Sequence, residues 1–159
     1  ALINQDQPVL GAIYDFMHDE MYYGSKIQSA WLNGSNIQVS DITEKNAATL
    51  VTRLPAQTDF SEQAIRKMIT DFQSWKKVRM IGSAAMASAY VASGKEDFYK
   101  EYGIYLWDIA AGAAIVEAAG GKVSLLNKNS KYQVDAFFSN NLVKHESYWQ
   151  SCCNIKIIF

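Results

Sequence analysis

The sequence is poor in the features that most often announce chemistry or a compartment. Only two cysteines occur among 159 residues, and they are neighbours, Cys152 and Cys153. A disulfide needs Cα atoms about 4.4–6.8 Å apart with converging Cβ vectors, which adjacent residues meet only with strain. The pair is read as free thiols, and a reducing, cytoplasmic compartment is expected. The two histidines, His18 and His145, have no cysteine or second histidine at ligand spacing, so a structural zinc site is not supported and each is read as a surface imidazole. An excess of one charge is also missing, with 15 basic residues against 16 acidic ones and a net charge of −1. Such a balance gives no field to neutralise the phosphates of a nucleic acid polymer. Uninterrupted apolar runs are short, as at Ala113 to Val116, whereas a membrane span needs about 20 residues. No membrane partner is expected.

Familiar catalytic motifs fail as well. Ser93-Gly94-Lys95 resembles the end of a phosphate-binding loop, but Ala89 stands where that motif requires glycine and Glu96 where it requires serine or threonine. Gly82-Ser83-Ala84 lacks the glycine frame of a nucleophile elbow, and nothing marks a histidine partner. The first residues, Ala-Leu-Ile-Asn-Gln-Asp, carry neither an initiator Met nor the basic start and apolar run of a signal peptide. They read as the middle of a strand, and the chain is expected to begin partway into a longer protein.

What is present is regular patterning. Residues 1–40 read as antiparallel β structure, with a run from Pro8 to Phe16 introduced by polar Asn4 to Gln7, and a second run, Ser29 to Val39, broken by Asn33-Gly34. From Thr43 the pattern changes to strand, helix, strand, helix, strand, the mark of an α/β layer with crossover helices. Its parts are a strand over Ala48 to Leu54 stopped by Pro55 and a helix capped by Ser61 with Ile65, Met68, Ile69, Phe72 and Trp75 at helical spacing. A strand over Val78 to Ile81 and a small-residue helix from about Ser83 to Ala92, ended by Gly94, come next. Phe98 to Gly103 reads as extended, Asp108 as able to cap a helix over Ile109 to Ala119, and Lys122 to Leu126 and Ala136 to Ser139 as strands. The helix after Asp108 is apolar on nearly every face, which requires layers on both sides of it.

Chemistry collects where strands give way to helix N-termini, because unpaired N–H groups and the positive end of the helix dipole point there. Gly82-Ser83-Ala84-Ala85, Glu101 and Asp108 are read as such junctions. A carboxylate there can hold a hard divalent cation or accept from sugar hydroxyls. The plainer alternatives are an N-cap for Asp108 and a solvated charge for Glu101.

These residues carry a resemblance. Trp107-Asp108-Ile-Ala-Ala-Gly-Ala-Ala-Ile-Val-Glu-Ala-Ala-Gly-Gly, with Gly82-Ser83-Ala84-Ala85 upstream and Glu101 seven residues before Asp108, resembles the C-terminal signature of the inositol monophosphatase family. Pro8-Val9-x-Gly11-x-Ile13-Tyr14-Asp15, Asp19-Glu20-Met21-Tyr22, Gly24 and Leu32-Asn33-Gly34 are similar to its middle hairpin region. The resemblance spans roughly residues 5–140. It implies a layered α/β fold, an α+β sandwich with an antiparallel hairpin region followed by a mixed sheet with crossover helices. It implies a magnesium-dependent phosphomonoesterase acting on a small phosphorylated substrate, inositol or sugar phosphate. By position in the motif, Asp108 would be a metal ligand beside the substrate oxygen, hence also catalytic. Glu101 would bind a substrate hydroxyl, Gly82, Ser83 and Ala84 would line the sugar pocket, and Trp107 would pack to fix Asp108.

The departures shape the expectation. The family's other metal ligands lie in an Asp-Pro-x-Asp-Gly-Thr-type block that these 159 residues do not contain, and Asp59, Asp71, Asp97 and Asp135 have the wrong neighbours to replace it. One carboxylate cannot hold two magnesium ions, each demanding near-octahedral oxygen coordination, so the chain alone is expected to be inactive. Residues 1–40 are expected to end an incomplete N-terminal sheet subdomain, 41–145 to form a C-terminal α/β subdomain, and 146–159 an atypical tail. A homodimer or pairing with a missing N-terminal segment is the expected partnership. The alternatives are a non-catalytic binding or scaffold fragment of the same fold, and a relative acting on 3′-phosphonucleotides or fructose bisphosphate. Tyr99, Tyr102 and Tyr105 could stack on a base, but alternating tyrosines in an extended segment read first as sheet packing.

Overall fold

The computed structural model describes residues 1–54 and 59–143; Pro55, His145, the tail 146–159 and both cysteines lie outside the described residues. The first five strands are β1 (Leu2–Asn4), β2 (Gln7–Asp15), β3 (Glu20–Ser25), β4 (Gln28–Leu32) and β5 (Ser35–Ile37), paired antiparallel in sequence order. Two-residue connections make the tight turns. Gln5 and Asp6 take φ of 47° and 62°, and Asn33 and Gly34 take 48° and 81°, the left-handed pair that matches the twist of a hairpin. The Asn33 carboxamide ties this turn to the neighbouring strand, accepting from Met21 N at 2.8 Å and donating to Asp19 O at 2.8 Å. The first hairpin and the Asn33-Gly34 turn match the sequence reading; β3 is additional to it.

The second sheet runs through β6 (Thr49–Val51), β7 (Lys77–Arg79), β8 (Phe98–Tyr105), β9 (Lys122–Leu126) and β10 (Gln133–Ser139), in the order β7-β6-β8-β10-β9. β6 pairs parallel with β7 and β8, while β10 pairs antiparallel with β8 and β9. This is the mixed sheet that the resemblance implied, within the α/β layer that strand and helix alternation implied. The strands expected over Ala48 to Leu54 and Val78 to Ile81 are shorter than read, and β8 runs two residues past Gly103. Gly103, at φ 64°, sits where β8 places two residues (102 and 103) opposite one on β10 (135), so it marks a bulge inside the strand.

Three helices complete the fold: α1 (Glu62–Gln73), α2 (Ala84–Ala92) and α3 (Leu106–Ala118). α2 and α3 lie side by side between the two sheets, α3 touching β2, β3 and β4 on one side and β8, β9 and β10 on the other. That position explains why α3 is apolar all round: Ile109, Ala110, Ala113, Ala114, Ile115 and Val116 are buried. Small residues set the spacing. A Cβ on Gly11 would meet the Ala111 carbonyl oxygen at 2.1 Å, and one on Gly112 would meet Ser88 Cβ at 2.2 Å. One core joins the layers, with Ile13, Tyr22 and Ala30 from the first sheet and Val51, Tyr99, Val134, Ala136 and Phe138 from the second.

The opposite face of the mixed sheet carries a smaller core of Leu50, Phe98, Phe137 and Trp75, with Phe72 of α1 against it. Alternation along β6 and β8 sends Leu50 and Phe98 to this side and Val51 and Tyr99 to the other. α1 is capped by Ser61, whose Oγ accepts from Ala64 N at 3.3 Å. Its apolar stripe is only part covered, since Ile65 and Ile69 are exposed. Asp71 anchors it to the sheet, pairing with Lys45 at 2.9 Å and with Lys100. No described helix is long and apolar enough to cross a membrane.

Candidate active site

A cavity of about 470 Å³ opens at the ends of β6, β7 and β8, bounded by the start of α2 and the start of α3. Gly82, Ser83, Ala84, Glu101 and Asp108 all line it, so the five residues singled out from the sequence meet at one place. Val51, Thr52, Arg53, Tyr99 and Trp107 line it too.

Each wall has a local cause. Gly82 takes φ 81°, which lets the chain turn from β7 into α2. Ser83 is the N-cap: its Oγ accepts from Met86 N at 3.3 Å, and its carbonyl accepts from Ala87 N at 2.9 Å. The first-turn amides of Ala84 and Ala85 have no intrahelical acceptor and stand at the pocket wall.

Asp108 differs from the expected cap. α3 begins three residues earlier than expected, at Leu106, whose N–H donates to Tyr132 O at 2.9 Å. A sheet-loop carbonyl does the work a capping side chain would do, which leaves Asp108 in the first turn with its carboxylate exposed to the pocket. The positive end of the helix dipole favours a negative charge there. Trp107 is corrected as well: it is 64% exposed and stacks on Tyr105 with ring centroids 4.6 Å apart, so it is not packed beneath Asp108.

Glu101 is neither a strand-end residue nor a solvated charge. It sits in the middle of β8 with 3% of its side chain exposed. Tyr99 donates its hydroxyl to Oε2 at 2.8 Å, and Arg53 Nε forms an ion pair with Oε1. Burial pushes the Glu101 carboxyl above its ordinary value, with Asp108 adding to the rise and Tyr99 and Arg53 pulling it down. Burial and the same carboxylate push the Tyr99 phenol up. Tyr99 also packs on Phe138 at 5.3 Å and Tyr102 edge-on to Phe137 at 5.6 Å, the sheet packing anticipated for this segment.

Residues set aside on sequence are accounted for by structural bonds. Asp97 accepts from Ser40 Oγ at 2.5 Å and Thr49 N at 2.7 Å; Asp135 accepts from Gly103 N at 2.9 Å and Asn127 Nδ2 at 2.6 Å. Asp59 accepts from Ser61 N at 2.8 Å. His18 is exposed and bonded to Asp15 at 2.7 Å. Magnesium, implied by the resemblance, does not find a full set of ligands: no group of three or more His, Cys, Asp or Glu side chains gathers among the described residues. Asp108 is the pocket carboxylate for which no cation partner is found among the described residues, and a pair of octahedral ions needs more oxygen donors than that.

Arg53 escaped the sequence reading. A lone arginine after a strand carries no local mark, and its meeting with Glu101 depends on a parallel pairing between residues 48 positions apart.

Comparison with known proteins bears on the family and the fold. The sequence pattern described as the inositol monophosphatase family matches residues 1–154. A fructose-1,6-bisphosphatase/inositol-1-monophosphatase of Thermotoga maritima is 30% identical over 148 residues, 92% of this chain and 56% of that protein. A Nus factor SuhB of Xylella fastidiosa is 33% identical over 124 residues, 77% of this chain and 45% of that protein. The solved inositol monophosphatase from Anabaena superposes with a TM-score of 0.73 at 34% identity, over 84% of this chain and 54% of that one. The chain thus spans about half the length of the relatives it matches. On pattern, sequence and fold together, this chain belongs to the inositol monophosphatase family.

Proposed function

We propose that the chain supplies the C-terminal part of a magnesium-dependent phosphatase that hydrolyses inositol monophosphate or a similar sugar phosphomonoester, and that it has no such activity alone. The observation that carries this reading is the convergence of Gly82, Ser83, Ala84, Glu101 and Asp108 on one cavity. Its roles follow from the chemistry of those groups. The amides of Ala84 and Ala85 are donors for a sugar oxygen, and buried Glu101 is an acceptor for a hydroxyl. Asp108 places a carboxylate at the pocket wall, where a hard cation would take it as one oxygen ligand. The remaining ligands have to come from polypeptide other than the described residues. A cytoplasmic setting belongs to the same reading.

The test pairs this chain with the N-terminal part of a longer relative, such as the portion of the Thermotoga maritima protein that it does not match. Phosphate release from inositol 1-phosphate is expected from the pair with magnesium and not from the chain alone. Asp108→Asn in the pair is expected to lower kcat on the order of 100-fold, about 2.7 kcal/mol in barrier height. Release that is indifferent to Asp108→Asn would sink the assignment.

A further inference from the structure

The mixed sheet ends on β9, which pairs with β10 on one side and stands open on the other. Among the described residues, no group outside β10 hydrogen-bonds to the backbone of Val123–Leu126. Successive residues of a strand turn their N–H and C=O groups to opposite edges, so alternate residues here present both to the open side. Such an edge is a template for another strand.

A second cleft, of about 370 Å³, follows that edge. Four consecutive residues, Val123 to Leu126, line it, so it tracks the backbone of β9 rather than one face of its side chains. It shares no lining residue with the pocket around Asp108. Pro8, Leu106, Ala113 and Val134 give it a buried, apolar floor. Asp6 and Lys128, paired at 2.7 Å, close it two residues past the end of β9. Glu117 stands at the opposite end, because the last turn of α3 leads through Gly120-Gly121 straight into β9.

Glu117 sets the charge that the cleft prefers. A carboxylate in the last turn of a helix faces the negative end of the dipole and gains from a nearby cation. Its ion-pair partner, Lys26, stands 3.7 Å away, beyond hydrogen-bond reach, and 34% of the Glu117 side chain is exposed. A cation arriving along β9 answers this charge at closer range. We propose that the open edge of β9 docks an extended peptide, which adds to the five-stranded sheet as a sixth, antiparallel strand. The peptide carries apolar residues at alternate positions, turned into the cleft, and a Lys or Arg on the same face that reaches Glu117. Main-chain hydrogen bonds supply affinity, and the alternate side chains supply selectivity. An antiparallel strand enters beside Leu126 and leaves beside Val123, which puts the basic residue at its C-terminal end.

The test is calorimetric binding of the peptide acetyl-Thr-Val-Thr-Val-Thr-Lys-amide to the full chain, its valines and lysine sharing one face. Glutamate in place of the lysine is expected to weaken binding about tenfold, the scale of one charge-assisted contact. N-methylation of both central residues keeps the side chains, removes whichever donor faces β9, and is expected to cost about as much. Glu117→Gln is expected to bring the preference for lysine over glutamate to within about twofold. In the bound chain, amide exchange followed by NMR is expected to slow at alternate residues of Val123–Leu126, those facing the open edge. Should Glu117→Gln unfold the chain, the altered peptides and the exchange pattern give the answer on the parent. No binding, an N-methylated peptide that binds as well as the parent peptide, or an exchange pattern unchanged in β9 overturns the proposal. Binding seen only in a chain ending at Asn154 assigns the edge to residues 155–159 and overturns it too. The phosphatase reading fails separately, through hydrolysis that ignores Asp108→Asn.

Discussion

At the scale of single residues, burial decides which carboxylates are unusual. Glu96 is almost wholly buried and paired with Arg79 at 2.5 Å, with its Oε2 left unpartnered. Burial raises its carboxyl above the ordinary value, Asp97 adds to the rise, and Arg79 opposes it. Because the folded chain resists ionisation here more than the unfolded chain does, the stability this group contributes is full below the ordinary Glu range. It is lost as pH climbs through the raised value. Glu96→Gln keeps the shape and removes the ionisation, so its melting temperature relative to the parent is expected to rise between pH 4 and pH 7. Thermal melts followed by circular dichroism check this, and a difference that does not move with pH contradicts it. The Glu101 carboxyl is displaced in the same direction, with burial again the largest cause.

At the scale of elements, close approach between α3 and its neighbours is the tightest constraint. Gly11→Ala would drive a methyl group into the Ala111 carbonyl of α3, and neither backbone can move alone because each belongs to a paired layer. A loss of about 3 kcal/mol is expected in urea unfolding, the upper end for overpacking. Gly112→Ala meets Ser88 in α2 and is expected to cost about 1–2 kcal/mol, since better helix propensity offsets part of the clash. A neutral result at Gly11 would mean that the layers can move apart at little cost. Legibility in the sequence divides along the same lines. Helices were readable because capping and periodicity are local, as Ser61, Ser83 and Gly94 demonstrate. Strand ends were not, because they depend on partners: Gly103 looked like a stop, yet the β10 ladder carries β8 through it as a bulge. Asp108 looked like a cap because the donor's true acceptor, Tyr132 O, is 26 residues away in sequence.

At the scale of the whole molecule, the first sheet has one covered face and one open one. Leu10, Tyr14, Met21 and Tyr23 alternate with buried Gly11, Ile13, Tyr22 and Gly24 and are all exposed. Contiguous apolar surface of this kind drives association when more than a few hundred Å² is open. Sedimentation is expected to show concentration-dependent association of the chain, relieved in Leu10→Lys/Tyr23→Glu, while a monomer at all concentrations would count against it. The site itself is drawn from across the molecule: β6 brings Arg53, the turn after β7 brings Gly82 and Ser83, β8 brings Glu101, and α3 brings Asp108. Gly82 and Ser83 could be read from the sequence as a junction, whereas Glu101 lies in the middle of β8 and Asp108 inside the first turn of α3. The Arg53–Glu101 contact could not, because strand register is a property of the assembled sheet.

The Asn33-Gly34 turn adds a dimension of time. An asparagine before glycine ages when the next backbone nitrogen attacks its side-chain carbonyl and ammonia leaves. In the folded chain that carbonyl is engaged by Met21 N and the amide nitrogen by Asp19 O, and both anchors disappear on unfolding. Deamidation at Asn33, read by mass spectrometry, is therefore expected to accumulate in proportion to the hours the first sheet has spent open, so that an old sample carries a chemical record of its own excursions.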